Sequence, residues 1–445
     1  MNGMVTLFPL SGFVLFVALG LKMFGADNQM VFQYLNIPML ILSSFFLSKT
    51  IYLLFNDKKL ARYSYILLLG FFQLNCYVTF VYGTLYGLAA SVAGIFLLIK
   101  YFKKRNIVNG LVGISLLSIG YGFKSNYLIM IVAACLLLLF DAIVKKSLKS
   151  VITLVWGIVF YVIITTSISS TIYHLTGKKV DEGTPNTAWV AMGLQESYKA
   201  PGWWNGYNAK VFADNEYDIP KTKEAISQNI SERMKELKKD KDYTMSFFSK
   251  KTASQWSEGT FECFYITNLD RGRLSNPTWT DSVKNLMVDG HSANRAVTTI
   301  CNYFIVFLWL GIILFLIFDF RKLDAYKLIF AITFIGGFLF HLVWEAKGQY
   351  TIIYAYLMIP YMLRGYQLLL RRVCNISLGE KEAKEKRGTI IPVVVIALVV
   401  IVIGISNNKV VNETIKLNGD KERYESYMSH QVDDLECLAR NACRL

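Results

Sequence analysis

Residues 127–172 read YLIMIVAACLLLLFDAIVKKSLKSVITLVWGIVFYVIITTSISSTI. Two apolar runs, 127–144 and 150–172, flank a linker that holds Lys145, Lys146 and Lys149. Crossing roughly 30 Å of hydrocarbon takes about 20 mostly apolar helical residues. Strands of a closed barrel would alternate apolar and polar positions. Neither run does, so each predicts a membrane-spanning helix. Short loops rich in Lys and Arg stay in the cytoplasm, which places the linker there.

The same pattern extends in both directions. Further candidate spans lie at 4–24, 31–55, 61–80, 83–101, 107–122, 299–319, 326–345, 350–370 and 389–406. The 107–122 run is short and glycine-rich (Gly110, Gly113, Gly120, Gly122), so it reads as a partial span. Basic residues recur in alternate linkers: Lys58, Lys59 and Arg62; Lys100, Lys103, Lys104 and Arg105; the 145–149 set; Arg321, Lys322 and Lys327; and Arg371 and Arg372 with the run at 381–387. All can face the cytoplasm together, while the turns at 81–84, 123–126 and 346–349 are charge-poor and face outward. In the turn at 81–84, Gly83 is expected at positive φ.

Composition agrees. The 445 residues are 54% hydrophobic and 18% charged, with a mean hydropathy of +0.38. Disorder needs low hydrophobicity and is excluded. Seven cysteines exclude a small disulfide scaffold, and a pair between Cys437 and Cys443 is the one weighed. The net charge of +15 sits in clusters between apolar runs, which points to a lipid bilayer and not to nucleic acid.

The predicted fold is an all-α polytopic membrane protein with about ten or eleven transmembrane helices and one large extracytoplasmic α-rich loop domain. Its parts are a helix block at 1–172, the loop domain at 173–298, a second helix block at 299–406 and an extracytoplasmic tail at 407–445. The insert is nearly neutral, with 17 Lys/Arg against 16 Asp/Glu over 174–297, and it holds five of the eight tryptophans. A helix is expected over 221–241, capped by Thr222, with Ala225, Ile226, Ile230, Met234 and Leu237 on one face.

Four places could carry chemistry. In the insert, Trp203, Trp204, Asn205, Gln255 and Trp256 combine aromatic faces with amides, the pairing that binds the C–H faces and hydroxyl rims of sugars. The same aromatics could equally form the insert's own core or an interfacial belt. At 341–350, His341 and Glu345 share a helix face at i,i+4, and Lys347 and Tyr350 follow. Lys347 suits a phosphate as a mobile point charge, or snorkels to the headgroups with Glu345 as its partner. Lys124, in Gly120–Asn126, has the same two readings. The tight turn Phe80–Thr84 reads as structural. Walker, HExxH and Gly-x-Ser-x-Gly motifs are absent, and the four histidines offer no metal cage.

Several short motifs, taken in order, carry a resemblance: Val31–Asn36, Tyr82–Thr84, Lys124–Asn126, Trp189–Gln195, Pro201–Asn208, Gln255–Trp256, and Trp344–Tyr350 followed by Pro360–Tyr361. The chain resembles the C-type glycosyltransferases, in particular the bacterial branch related to protein mannosyltransferases. The resemblance implies a multi-pass cell-membrane enzyme, a hexosyltransferase of the cell envelope. Such an enzyme moves a sugar from a polyprenyl-phosphate carrier to an extracytoplasmic acceptor: a cell-wall glycan, teichoic acid or protein. It implies donor-phosphate binding by Lys124, Lys347 and Tyr350. The leaving charge would be met by cations or a divalent metal; no other cofactor is implied. It also implies a catalytic Asp on a first outer loop, and the chain does not present one. Met4–Phe24 matches the part of the family that follows that loop and often lies along the outer surface, so the first span and the Asp are expected upstream of Met1. The expectation is a shortened or a divergent, inactive member. Glu345 and His341 stand as catalytic candidates without an assignment. The alternatives are a polysaccharide polymerase or ligase and a lipid-linked glycan flippase.

Overall fold

The computed structural model describes residues 11–25, 28, 30–177, 183–267, 281–287, 291–319, 324–372 and 391–414. These are helical, with no strand among them. In chain order the helices are α1 (Ser11–Phe24), α2 (Met30–Phe55), α3 (Lys58–Leu69), α4 (Phe72–Cys76), α5 (Thr84–Lys104), α6 (Ile107–Phe123), α7 (Leu128–Val144), α8 (Leu148–Thr176), α9 (Thr187–Gly193), α10 (Tyr207–Asp214), α11 (Ile219–Lys239), α12 (Lys241–Trp256), α13 (Cys263–Thr267), α14 (Asp281–Met287), α15 (Ser292–Asp319), α16 (Ile329–Val343), α17 (Gly348–Arg372) and α18 (Ile391–Thr414). Six are long and apolar enough to cross a membrane: Met30–Phe55, Thr84–Lys104, Ser125–Val144, Leu148–Thr176, Ser292–Asp319 and Ala325–Val343.

The bundle has two unlike ends. One gathers Asp57, Arg105, Asp141, Lys145, Asp319, Arg364 and Arg371 in ion pairs, among them Arg105–Asp141 at 2.5 Å and Arg364–Asp319 at 3.1 Å. The basic linkers within the described residues therefore meet at one end. Arg321, Lys322, the run at 381–387, the cysteine pair and the tail beyond Thr414 lie outside the described residues. The insert caps the other end.

Three sequence expectations change. The 61–80 run is not one helix. It is built of α3, a break at Gly70 with Phe71 extended, α4 and a 3-10 turn at Tyr77–Thr79. The segment nonetheless runs the length of α2, because Asn36 near the start of α2 donates to Val78 O and Phe80 O at 3.0 Å, while Lys58 lies just past the end of α2. The insert props the break: Gln73 Nε2 donates to Gly259 O at 2.8 Å and Tyr77 donates to Phe261 O at 2.8 Å. Protein surrounds the non-helical backbone here, with Phe71 and Leu74 both buried.

The 4–24 run, so far as it is described, lies across the insert end of the bundle. A Cβ on Gly12 would sit 2.2 Å from Gly122 O and one on Gly20 would sit 2.5 Å from the Phe32 ring, so both ends of α1 touch the same rim. Phe16 packs between Phe32 at 5.8 Å and Phe123 at 5.5 Å.

Gly83 has φ −64°, not a positive φ. Its reason is space: a Cβ would sit 2.1 Å from Phe123 O.

Boundaries also shift. Helix α8 runs to Thr176 and α15 starts at Ser292, so the flanking helices continue into the 173–298 stretch. Helix α18 continues past 406 to Thr414, because Asn407 donates to Ser257 O at 3.0 Å and Asn408 accepts from Asn302 at 2.8 Å. The expected 221–241 helix begins at Ile219, and its cap is Asp218, which accepts from Lys221 N at 2.8 Å. Thr222 instead donates to Asp218 O. Ile226 and Leu237 are buried as expected, whereas Met234 is exposed.

Helix α17 is the axis of the second block and is buried on nearly every side. Two of its tyrosines find partners: Tyr356 shares a bond of 2.7 Å with Ser44, and Tyr366 donates to Phe307 O at 2.9 Å.

Candidate functional site

The corner between α16 and α17 holds the site. The i,i+4 helical pairing of His341 and Glu345 is not formed, because α16 ends at Val343 and Trp344 is extended (φ −78°, ψ 164°). The insert imposes this. Ala346 N donates to Gly202 O at 2.7 Å, and Trp203 and Ala346 form a parallel bridge. Lys251 of α12 donates to Gly193 O, Leu342 O and Trp344 O at 2.5, 3.0 and 2.8 Å. A buried cation thus satisfies carbonyls at the C-terminal ends of α9 and α16. Gly193 permits the contact, since a Cβ there would lie 2.5 Å from Trp344 C.

Lys124, Lys347 and Tyr350 converge on this corner. Lys124 Nζ bonds to Thr84 Oγ1 at 3.0 Å and lies 4.9 Å from the Tyr82 ring centroid and 5.4 Å from that of Tyr350. Its residue is 2% exposed, so it does not snorkel, and it makes no ion pair among the described residues. Lys347 Nζ sits 3.5 Å from Glu345 Oε1 and 5.9 Å from the Tyr350 ring. Tyr350 donates to Glu345 Oε2 at 3.2 Å. Burial first, and then the like charge of Lys347, pushes the Lys124 ammonium down to about 7. Burial likewise pushes Lys251 down to about 7, against the pull of Glu345.

The insert residues divide. Trp203 is buried, donates to Ser254 Oγ at 2.8 Å and carries Lys199 Nζ over its ring at 3.9 Å. Trp256 is buried among Phe334, Phe338 and Tyr354, with its own carbonyl accepting from Trp309 at 3.2 Å. Asn205, two residues before the start of α10, accepts from Tyr207 N at 3.0 Å and donates to Gln195 Oε1 at 2.8 Å. Trp204 is half-buried beside the core. Gln255 is buried and faces His341, whose carbonyl lies 3.5 Å from Gln255 Nε2.

Two positioning groups escaped the sequence reading. Lys251 stands one turn from Phe247 and Gln255 on the buried face of α12, and a lysine amid that apolar spacing was the available signal. Glu262, at φ +60°, accepts from Gln349 N at 3.2 Å and pairs with Lys199 at 3.2 Å. Only the long-range docking reveals it. Among the described residues, no group of three or more His, Cys, Asp or Glu is placed to hold a metal ion.

No protein family, curated protein or solved structure matches the chain. Its chemistry is therefore read from the site. A water-poor corner holds two clustered ammonium groups and one carboxylate, which favours an anion with several oxygens.

Proposed function

We propose that the chain is a membrane glycosyltransferase that takes a sugar from a polyprenyl-phosphate carrier and transfers it to a glycan, teichoic acid or protein acceptor on the insert side. That side is extracytoplasmic, since the basic linkers gather at the opposite end. One observation carries the reading: Lys124, 2% exposed and without an ion pair among the described residues, stands beside Lys347 on the Tyr350 ring. A buried unpaired cation is costly unless it meets an anion. A lipid phosphate brings that anion to the rim of a membrane bundle, and an apolar chain bound to it can stay in the bilayer.

In the reaction, an acceptor hydroxyl oxygen attacks the anomeric carbon. The bond from that carbon to the phosphate oxygen breaks, and the phosphate leaves with the electron pair. The acceptor proton passes to a base. Lys124 and Lys347 stabilise the growing phosphate charge, and Tyr350 holds Glu345 beside them. Glu345 and His341 are the base candidates at this corner. A lipid-linked glycan flippase would share the interrupted run at Gly70–Phe71, but insert carbonyls hold Gln73 and Tyr77 just beyond that break.

The test is transfer of radiolabelled sugar from polyprenyl-phosphate donors by the purified protein in lipid. Lys124→Ala and Lys347→Ala are expected to lower turnover at least tenfold while the protein stays folded. Unchanged turnover in both would remove the phosphate assignment.

A further inference from the structure

Beside the lysines lies a patch of buried polar atoms without hydrogen-bond partners. Both ring nitrogens of His341, Oε1 of Gln255 and the hydroxyl of Tyr354 are in this state. The three residues are 0%, 1% and 0% exposed. They adjoin one another: the His341 and Tyr354 rings are 6.0 Å apart, and Gln255 reaches the His341 carbonyl. Trp256 backs both rings, at 6.4 Å from His341 and 5.8 Å from Tyr354. Gly337 makes room for the Tyr354 ring, since a Cβ there would lie 2.4 Å from it.

Buried polar groups are nearly always hydrogen-bonded, so four such atoms in one place call for a partner. The partner must offer donors and acceptors together, because an imidazole, an amide oxygen and a phenol present both. It must also reach the lysines. His341 stacks on Tyr350 at 5.9 Å, and the same Tyr350 ring lies 5.4 Å from Lys124 Nζ and 5.9 Å from Lys347 Nζ. One ring therefore separates the cationic pair from the polar patch. A phosphate with a hydroxylated ring attached would span the two.

We propose that His341, Gln255 and Tyr354 bind the hydroxyl rim of the donor sugar, while Lys124 and Lys347 hold its phosphate. This rests on the lipid-phosphate reading of the lysine site. It moves sugar recognition from the insert's tryptophans to a face that Gln255 of α12 shares with α16 and α17.

The experiment compares the binding of bare polyprenyl phosphate with polyprenyl-phosphate glucose, galactose and mannose, measured on the purified protein in lipid nanodiscs. The wild type is expected to bind at least one sugar-linked carrier about tenfold more tightly than the bare one. Tyr354→Phe and His341→Phe each delete atoms that have no hydrogen-bond partner in the protein. Both are expected to melt no lower than the wild type and to lose about tenfold of the sugar preference, and Tyr354→Phe, which lies outside the base candidates, is expected to bind bare carrier as before. Gln255→Met is expected to lose the same preference. If the wild type binds bare and sugar-linked carriers equally, or if the preference survives all three substitutions, the patch assignment is overturned and the phosphate site stands. If the wild type binds no carrier, the phosphate reading fails first. If Tyr354→Phe does not fold, its hydroxyl serves the structure, which also overturns the assignment.

Discussion

Lys251 Nζ lies 2.8 Å from the carbonyl oxygen of Trp344, joining α12 of the insert to the corner that carries Glu345 and Lys347. The lysine is fully buried and divides its donors among three carbonyls. Insert and bundle are therefore one mechanical unit at the site.

Lys251→Met keeps the side chain's length and removes its donors. It leaves carbonyls of α9 and α16 unsatisfied, so stability should fall by about 3 kcal/mol. Hydrogen exchange at 342–347 should rise before exchange in α17 does. Unaltered protection of that corner would show that the clamp is dispensable.

Lys124 predicts a pH signature. Its folded pKa, about 7, lies below the ordinary lysine value of 10.5. Between those values the unfolded chain binds more protons, so this group's contribution to stability improves as pH rises from 7 to 10.5. Below 7 its full cost is present. Lys124→Met should therefore raise the melting temperature at pH 6, and the gain should vanish by about pH 10.5. A gain that does not change with pH would point to packing and not charge.

Trp203→Ala removes a fully buried indole along with its bond to Ser254, and should cost about 3–5 kcal/mol. Trp204→Ala, half-buried, should cost far less. Denaturant melts compare the two. If only Trp203→Ala lowers activity, and does so in proportion to unfolded protein, Trp203 acts as a roof beam and touches no sugar.

Gly83→Ala places a methyl group 2.1 Å from Phe123 O. The outer ends of α5 and α6 must part, at about 1–3 kcal/mol. Because Lys124 follows Phe123, carrier binding should weaken along with the melting temperature. Normal binding at a lowered melting temperature would separate the two.

Single cysteines at the exposed positions Lys210 and Lys59 test the orientation. In intact cells, an impermeant maleimide should label the first and spare the second. Labelling of both from outside would refute the placement of the insert.

Some of the site could be read in advance because single residues announced it. Lys124 is a lone charge in its turn and Lys347 follows only Glu345 in the next corner, and a charge beside hydrocarbon has few uses. The role of Glu345 was mistaken in geometry, because i,i+4 spacing assumes a helix that the insert unwinds at Trp344. Gly83 was assigned the wrong reason, since a glycine in sequence does not show whether conformation or space demands it. His341 and Tyr354 sat inside apolar runs, where neither spacing nor composition reveals a missing hydrogen-bond partner.

The sequence alone determined that this is a helical chain with membrane-length runs, and which linkers share an end, because apolar length and lysine placement are local properties that lipid and water read directly. Only the tertiary structure decided that α1 lies across the bundle, that the 61–80 run is broken, and that the insert bends the corner at 344–347. Those outcomes depend on contacts between residues far apart in the chain, such as Gln73 with Gly259 and Lys251 with Trp344, whose partners no local pattern names.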